Sequence, residues 1–459
     1  MTSPESALAS DRSQTPRTAM AAFVGTALEW YDFFIYGTAA ALVFNKVFFP
    51  ALSPVAGTLA AFAAFGVGFV ARPLGGLVLG NLGDRLGRRE ILLLTLLLMG
   101  VATVGIGLLP GYQTIGIWAP LLLVLARLVQ GFAAGAEYAG AVVISVENAP
   151  ARRRGLFGSW ACLGVAFSVL ASTGVFAVFN RLPHSDFLAW GWRMPFLLSV
   201  ILIAFGVLAR LRLAESPAFE DLRRNQRLER LPVLKAFRSH PRSVLVVIGS
   251  RLAENSFGYA YPVFLVAYAT KYAGLNSGTV LTGVVIASAV ELVTIPLFAS
   301  LSDRVGRRVV YMAGAAFSAV WIFPVFWLLD TGSTGLVWLA FVVGQGVAVP
   351  AMFAPQAAYY AELFGTAVRY SGFAFARELG SIFAGGLTPF AATALVAAYS
   401  GQWVPAAAYM AAMGLLTVIA LAIGPETYRT DIAGDLASGV AQRSHRVVDP
   451  AAGQAAEMS

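Results

Sequence analysis

Charge is what this sequence has least of. Charged residues make up 12% of the 459-residue chain, about half the share found in soluble globular proteins, while apolar residues reach 58%. That pairing excludes an ordinary soluble protein and leaves no room for a separate catalytic domain, so no enzyme is expected. Cysteine is scarcer still. The single Cys162 excludes an internal disulfide and any cysteine cluster for a metal, and it reads as a small packed core residue. His184, His240 and His445 lie far apart, so no zinc or haem spacing appears and no cofactor is expected. The first 18 residues hold no apolar core of seven residues and do not read as a cleaved leader.

What the chain has instead is long apolar runs. Scanning for them gives spans near 19–44, 56–80, 91–109, 117–144, 156–180 and 190–213, then 244–270, 277–300, 309–329, 335–361, 368–398 and 402–424. Twelve helices of about 20 residues suffice to cross a bilayer twelve times. The expected fold is therefore an all-α polytopic membrane protein. Its expected organisation is a tail over 1–18, a six-helix bundle over 19–213, a charged linker over 214–243 forming an interfacial helix, a second six-helix bundle over 244–424, and a tail over 425–459.

The formal charge of +8 becomes an orientation once each basic residue is placed on that map. Of the 32 Lys and Arg, only Lys46, Arg181, Arg193 and Lys271 fall in odd-numbered loops, and Arg72, Arg127, Arg251 and Arg377 fall inside spans. The remaining 24 lie in even-numbered loops and the two tails. Positive segments stay on the cytoplasmic side, so both termini are expected inside, in the cytoplasmic membrane. The excess charge reflects topology, not a nucleic-acid partner.

The two halves echo each other, as transporters built from repeated bundles do. Gly80-Asn-Leu-Gly-Asp84-Arg85-Leu-Gly87-Arg88-Arg89 after span 2 recurs as Asp303-Arg304-Val-Gly306-Arg307-Arg308 after span 8, an offset of 219. Glu147 precedes Arg154 by seven residues after span 4, and Glu362 precedes Arg369 by seven after span 10.

With the G-x-L-x-D-R-x-G-R-R pattern between spans 2 and 3, the chain resembles the major facilitator superfamily over nearly its whole length. Within it, Glu29-Trp-Tyr-Asp32, Arg72-Pro-Leu-Gly-Gly76, Arg127-Leu-Val-Gln130-Gly131 and Gly135-Ala-Glu137-Tyr look like the metabolite:proton symporters. That family includes carriers of shikimate, 2-oxoglutarate, citrate, and proline or betaine. Arg152-Arg-Arg-Gly155-Leu-Phe-Gly-Ser159 is similar to its shikimate-like members. The resemblance implies two pseudo-symmetric bundles that alternate access to a central site lined by spans 1, 4, 7 and 10.

Ionisable residues within hydrocarbon cost about 2.5–3.5 kcal/mol each on insertion scales, so each one invites a functional reading. Glu29, Asp32 and Tyr36 share one face of span 1, and Arg127, Gln130 and Glu137 share one face of span 4. Arg127 can pair with a span 1 carboxylate until a proton or an anionic substrate competes for it, which would couple the two. The alternative is a permanent structural ion pair. Glu291, near mid-depth of span 8 with no arginine close in sequence, is a further proton-site candidate.

For substrate, Arg251 offers a two-pronged match to a carboxylate, unless it pairs with Glu254 three residues on. Asn255, Tyr259 and Tyr261 continue its face of span 7, and Arg377, beside Glu378, is a second candidate. Tyr31 and Tyr36 could bracket a substrate or simply pack between helices. Gln345, in a span 10 rich in glycine and proline, is a further polar contact, as is Gln356. The loop residues Asp84, Arg85, Arg88, Arg89, Asp303, Arg304 and Arg307 form an expected latch, with Glu147 pairing to Arg154 and Glu362 to Arg369. The same arginines could serve topology alone.

The expected activity is proton-coupled symport of a small organic acid by a monomer, with the proton as coupling ion. A carrier of zwitterions such as proline or betaine is the alternative within transporters. From another class comes a nutrient sensor that binds without transporting, which would call for a longer cytoplasmic output region.

Overall fold

The computed structural model describes residues 4–86, 88–135, 137–211, 237–365 and 368–430. Among these, every regular element is a helix. The first half holds α1 (Pro4–Leu42), α2 (Pro54–Leu86), α3 (Arg88–Leu108), α4 (Trp118–Ala134), α5 (Glu137–Glu147), α6 (Arg154–Phe179) and α7 (Met194–Leu211). The second holds α8 (Pro241–Tyr259), α9 (Val266–Lys271), α10 (Ser277–Val305), α11 (Arg307–Asp330), α12 (Thr334–Val343), α13 (Val349–Glu362), α14 (Arg369–Ser381), α15 (Thr388–Ala398) and α16 (Val404–Ile423).

Nine helical stretches among the described residues are long and apolar enough to cross a membrane by length and composition. The first, third and seventh expected spans are helical but fall outside that set. Span 1 carries Glu29 and Asp32, span 7 carries Arg251 and Glu254, and span 3 offers among the described residues only the shorter apolar stretch Leu93–Leu108. α1 runs unbroken from Pro4, so the helix that holds the first expected span continues into the segment read as a tail over 1–18. The interfacial helix expected within 214–243 lies mostly outside the described residues, and α8 begins at Pro241.

Three passages of the second half contain a π-helical turn: Ala260–Leu265 between α8 and α9, Gly344–Ala348 between α12 and α13, and Ile382–Gly386 between α14 and α15. Each has proline in or just after it (Pro262, Pro350, Pro389), which removes a backbone donor and forces the ladder to skip. The glycine- and proline-rich span 10 is thus interrupted by a π turn. Its Gly346 carbonyl is taken up by Thr294 Oγ1 of α10 at 2.6 Å.

Glycine sets how closely helices approach. Within the first half, a Cβ on Gly131 of α4 would lie 1.9 Å from the Gly68 carbonyl of α2, and one on Gly135 would lie 2.0 Å from the Arg72 carbonyl. Between halves, α2 meets α14 and α15, while α6 meets α10 and α13. The close approach of spans 2 and 11 occurs at Gly66, whose Cβ would fall 2.8 Å from the Gly386 carbonyl.

Candidate functional site

The buried polar groups gather where α1, α2, α4, α8 and α14 converge, and they form two networks. In the first, Asp32 of α1 is buried and faces the Thr103 hydroxyl of α3, which donates to the Met99 carbonyl of its own helix at 2.9 Å. Gln130 Nε2 donates to Thr103 Oγ1 at 2.7 Å, and Arg127 Nη1 donates to Gln130 Oε1 at 3.0 Å. Arg127 Nη2 donates to the Phe65 carbonyl at 3.2 Å, and its guanidinium lies 4.1 Å from the Tyr36 ring and 4.5 Å from Phe33. Arg127 therefore does not grip a span 1 carboxylate directly. Gln130 and Thr103 stand between it and Asp32.

In the second network, Arg251 of α8 pairs with Glu254, as the i, i+3 alternative anticipated. Its Nη1 also donates to Gln356 Oε1 at 3.3 Å and its Nε to Ser381 Oγ at 3.1 Å. Gln356 Nε2 in turn donates to Glu254 Oε2 at 2.8 Å and to Tyr311 Oη at 3.2 Å. Arg377 of α14 pairs with Glu378, and the same carboxylate reaches Arg72 of α2 at 3.4 Å. Glu378 thus bridges the two halves.

A small cavity of about 40 Å³ lies between the halves, lined by Trp30, Phe34, Arg251, Glu254, Asn255, Tyr259, Glu291 and Gln345 among others. It has room for a water or two and is far below the few hundred Å³ of a typical small-molecule pocket. The halves must separate to admit a solute. Glu291 faces Gln345, whose Nε2 donates to Ser288 Oγ at 2.8 Å.

Several sequence candidates sit elsewhere. Tyr31 spends its hydroxyl on the Pro195 carbonyl at 3.2 Å, and Tyr261 fills the space left by Gly344 against Phe341. Tyr36 lies over Arg127, outside the cavity lining. Glu29 is buried beside Trp30 on α1, and Glu137 on α5 is half-buried.

Both ends of the interface between the halves are tied. At the loop-motif end, two expected pairings are corrected. Glu147 bonds Arg369 of the other half at 2.6 Å instead of Arg154, and Glu362 bonds Arg307 at 3.4 Å instead of Arg369. Seven residues of sequence separate each expected pair, but Glu147 turns toward the facing half and Glu362 toward the neighbouring α11 of its own half. Asp303 pairs with Arg307 at 2.6 Å and accepts from the Gly155 and Leu156 amides at 2.9 and 3.0 Å, capping the start of α6. Arg154 reaches the Thr430 carbonyl at 2.7 Å, and Arg304 is exposed. Glu426 caps α11 by accepting from the Arg307 and Arg308 amides at 2.9 and 3.1 Å. Gly80 lies in α2; Gly87 and the side chains of Asp84, Arg85, Arg88 and Arg89 lie outside the described residues. At the opposite end, Asn180 Nδ2 donates to Ser277 Oγ at 2.9 Å and Lys271 Nζ to Thr58 Oγ1 at 2.7 Å.

Sequence reasoning passed over Thr103, a lone hydroxyl in an apolar run, and assigned no role to Arg72 although it is an intramembrane arginine. Glu378 enters the sequence reading only as the neighbour of Arg377, and Trp30 only as an aromatic that could bracket a substrate.

The profile of the family described as "Sugar (and other) transporter" matches residues 18–230 and again 220–432. The chain is 40% identical over 422 residues to the shikimate transporter of Escherichia coli (strain K12), covering 91% of this chain and 96% of that one. It is 34% identical over 426 residues to the proline/betaine transporter of the same strain, covering 90% and 84%. Among solved structures, the xylose transporter XylE from E. coli in a partially occluded inward open conformation aligns with a TM-score of 0.70 at 19% identity, over 91% of this chain and all of that one.

Proposed function

The chain belongs to the sugar (and other) transporter family of the major facilitator superfamily, and on that premise we propose that it is a proton-coupled symporter of a small organic acid. The observation that carries this reading is the likeness, over nine-tenths of the chain, to a shikimate transporter. The buried chain Asp32–Thr103–Gln130–Arg127 supplies the coupling. A proton on Asp32 removes the acceptor at one end, the hydroxyl and amide between reorient, and the Arg127 charge loses its counterpart. The carrier then changes which state it favours only when loaded or empty. Glu291, facing Gln345 across the cavity, is a second proton candidate, and Glu29 and Glu137 remain acidic groups of the same region. Twelve passages in two six-helix bundles, both termini cytoplasmic, a monomeric carrier in the cytoplasmic membrane and latches on the loop-motif face complete the proposal.

A second reading, a carrier of zwitterions such as proline or betaine, is favoured by one feature. The Arg251–Glu254 pair presents both signs of charge at a cavity walled by Trp30, Phe34 and Tyr259, aromatic faces that suit a quaternary ammonium. Uptake of labelled shikimate, 2-oxoglutarate, citrate and glycine betaine into proteoliposomes under an imposed pH gradient separates the two. Accumulation of an acid supports symport of organic acids, accumulation of betaine alone supports the second reading, and binding without gradient-driven accumulation of any solute overturns both.

A further inference from the structure

Arg72 and Arg377 come from opposite halves of the chain, and each is 1% exposed. Their guanidiniums converge on one indole: Arg72 lies 4.7 Å and Arg377 5.7 Å from the Trp30 ring. Phe33 at 4.0 Å from Arg72 and Tyr138 at 3.9 Å from Arg377 complete an aromatic box. Each arginine spends only Nη1, on opposite oxygens of Glu378. Nε and Nη2 of Arg72, and Nε and Nη2 of Arg377, are buried with no acceptor among the described residues. A buried guanidinium N–H left without an acceptor is expensive, so four of them around one carboxylate mark a site that is under-supplied with negative oxygen.

Arg251 is the contrasting case. It lines the cavity, yet its Nη1 is committed to Glu254 and Gln356 and its Nε to Ser381. Trp30 connects the two regions, since one side of it lines the cavity and the arginines sit over its ring. We propose that Arg72 and Arg377 bind the carboxylate of the transported acid, reached when the Trp30 ring swings aside, and that Glu378 is the resident carboxylate which the substrate displaces from Arg72. A planar guanidinium pairs with a carboxylate through two parallel N–H bonds, and a substrate held by one arginine from each half closes the halves around itself. This rests on the organic-acid reading and assigns its recognition site.

The test uses the full chain in proteoliposomes with shikimate as probe and its methyl ester as the analogue lacking a carboxylate. If the substrate competes with Glu378, the site is competent only when Glu378 has let go of Arg72, and apparent affinity carries that fraction as a penalty. Glu378→Gln should therefore lower KM for shikimate, by about 3- to 10-fold, which a merely structural role would not do. Arg72→Lys and Arg377→Lys should raise KM by roughly 10-fold or more while Vmax changes less, and the methyl ester should compete poorly with wild type and show little further loss with either lysine variant. Should Arg72→Lys fail to fold, judged by size exclusion, the Glu378→Gln and Arg377→Lys results decide alone. A raised KM in Glu378→Gln, or an unchanged KM in the lysine variants of a wild type that accumulates shikimate, overturns this assignment and leaves the symporter reading standing. No accumulation of shikimate or any other acid by wild type overturns that reading, and the assignment with it.

Discussion

Asp32 and Arg127 are joined through intermediaries: Gln130 accepts from Arg127 and donates to the Thr103 hydroxyl, which faces Asp32 and here donates to the Met99 carbonyl. A direct ion pair has two states, made and broken. A four-membered chain can instead change its polarity along its length, because the hydroxyl and the amide can each redirect a bond without moving far.

Replacing Asp32 with Asn keeps the shape and removes the titration. Gradient-driven accumulation should collapse, an effect of about 5- to 150-fold if coupling is of ordinary strength, while exchange of internal for external substrate at equal pH persists. Counterflow beside accumulation in the same vesicles checks this; retained accumulation with unchanged pH dependence would sink the proton site.

Thr103→Val should resemble Asp32→Asn in accumulation although every charge is still present. The Gln130 amide would lose its buried acceptor, at a cost of about 1–3 kcal/mol, and Asp32 the hydroxyl that can turn toward it. Thr103→Ser should restore most activity. If valine and serine behave alike, the hydroxyl is not part of the coupling path.

The two loop-end ion pairs should differ in kind. Glu147 is 38% exposed at its side chain, and the buried Arg369 keeps the Ala361 and Phe364 carbonyls, so Glu147→Gln should cost less and read out as a shift between inward and outward states. Glu362 and Arg307 are fully buried at their side chains, and Glu362→Gln leaves a buried guanidinium short of its partner. It should cost roughly 3–5 kcal/mol and lower the melting temperature in detergent.

Glycine substitutions separate folding from motion. Gly131→Ala forces a Cβ to 1.9 Å of the Gly68 carbonyl within one half, and Gly66→Ala forces one to 2.8 Å of the Gly386 carbonyl between halves. Overpacking costs about 1–3 kcal/mol. Gly131→Ala should lower thermal stability, because neither helix can leave. Gly66→Ala should melt near wild type yet transport slowly, since the halves relieve the clash by staying apart.

At the opposite end, burial first and the Lys46 charge second lower the Lys271 pKa to about 8. A base with a lowered pKa in the closed arrangement is costly to keep charged there, so the penalty is complete below about pH 8 and vanishes as pH rises toward the free value near about 10.4. Closure at this end should therefore strengthen between those pH values. Labelling of a cysteine placed beneath Thr58 should fall over that range, and Lys271→Met should flatten the profile.

The apolar passages were legible in the sequence because the bilayer demands about 20 uninterrupted apolar residues, and each of the helices α2–α16 overlaps one expected span, while α1 begins well ahead of its own. The site was legible as a shortlist and not as a set of partners. Arg251 with Glu254, three apart on one helix, was foreseeable from spacing alone. Glu147 with Arg369, 222 residues apart, was not, since helix ends at an interface choose partners by the facing surface. Thr103 gave no signal, as a hydroxyl in an apolar run satisfies itself on the preceding turn equally well, and it does so here with the Met99 carbonyl at 2.9 Å.

The three π-helical turns lie in the second half, and the described residues of the first half have none. Each turn adds one residue to a helical circuit and breaks the regular ladder at cavity depth, where Thr294 on Gly346 and Asn255 on Ser381 supply hydrogen bonds from neighbouring helices. Such borrowed bonds are the ones that local bending can exchange without unfolding a helix. The first half, its α2 and α4 clamped glycine to backbone, is then the doorframe and the second the hinged leaf: a carrier of symmetric ancestry working with unequal stiffness.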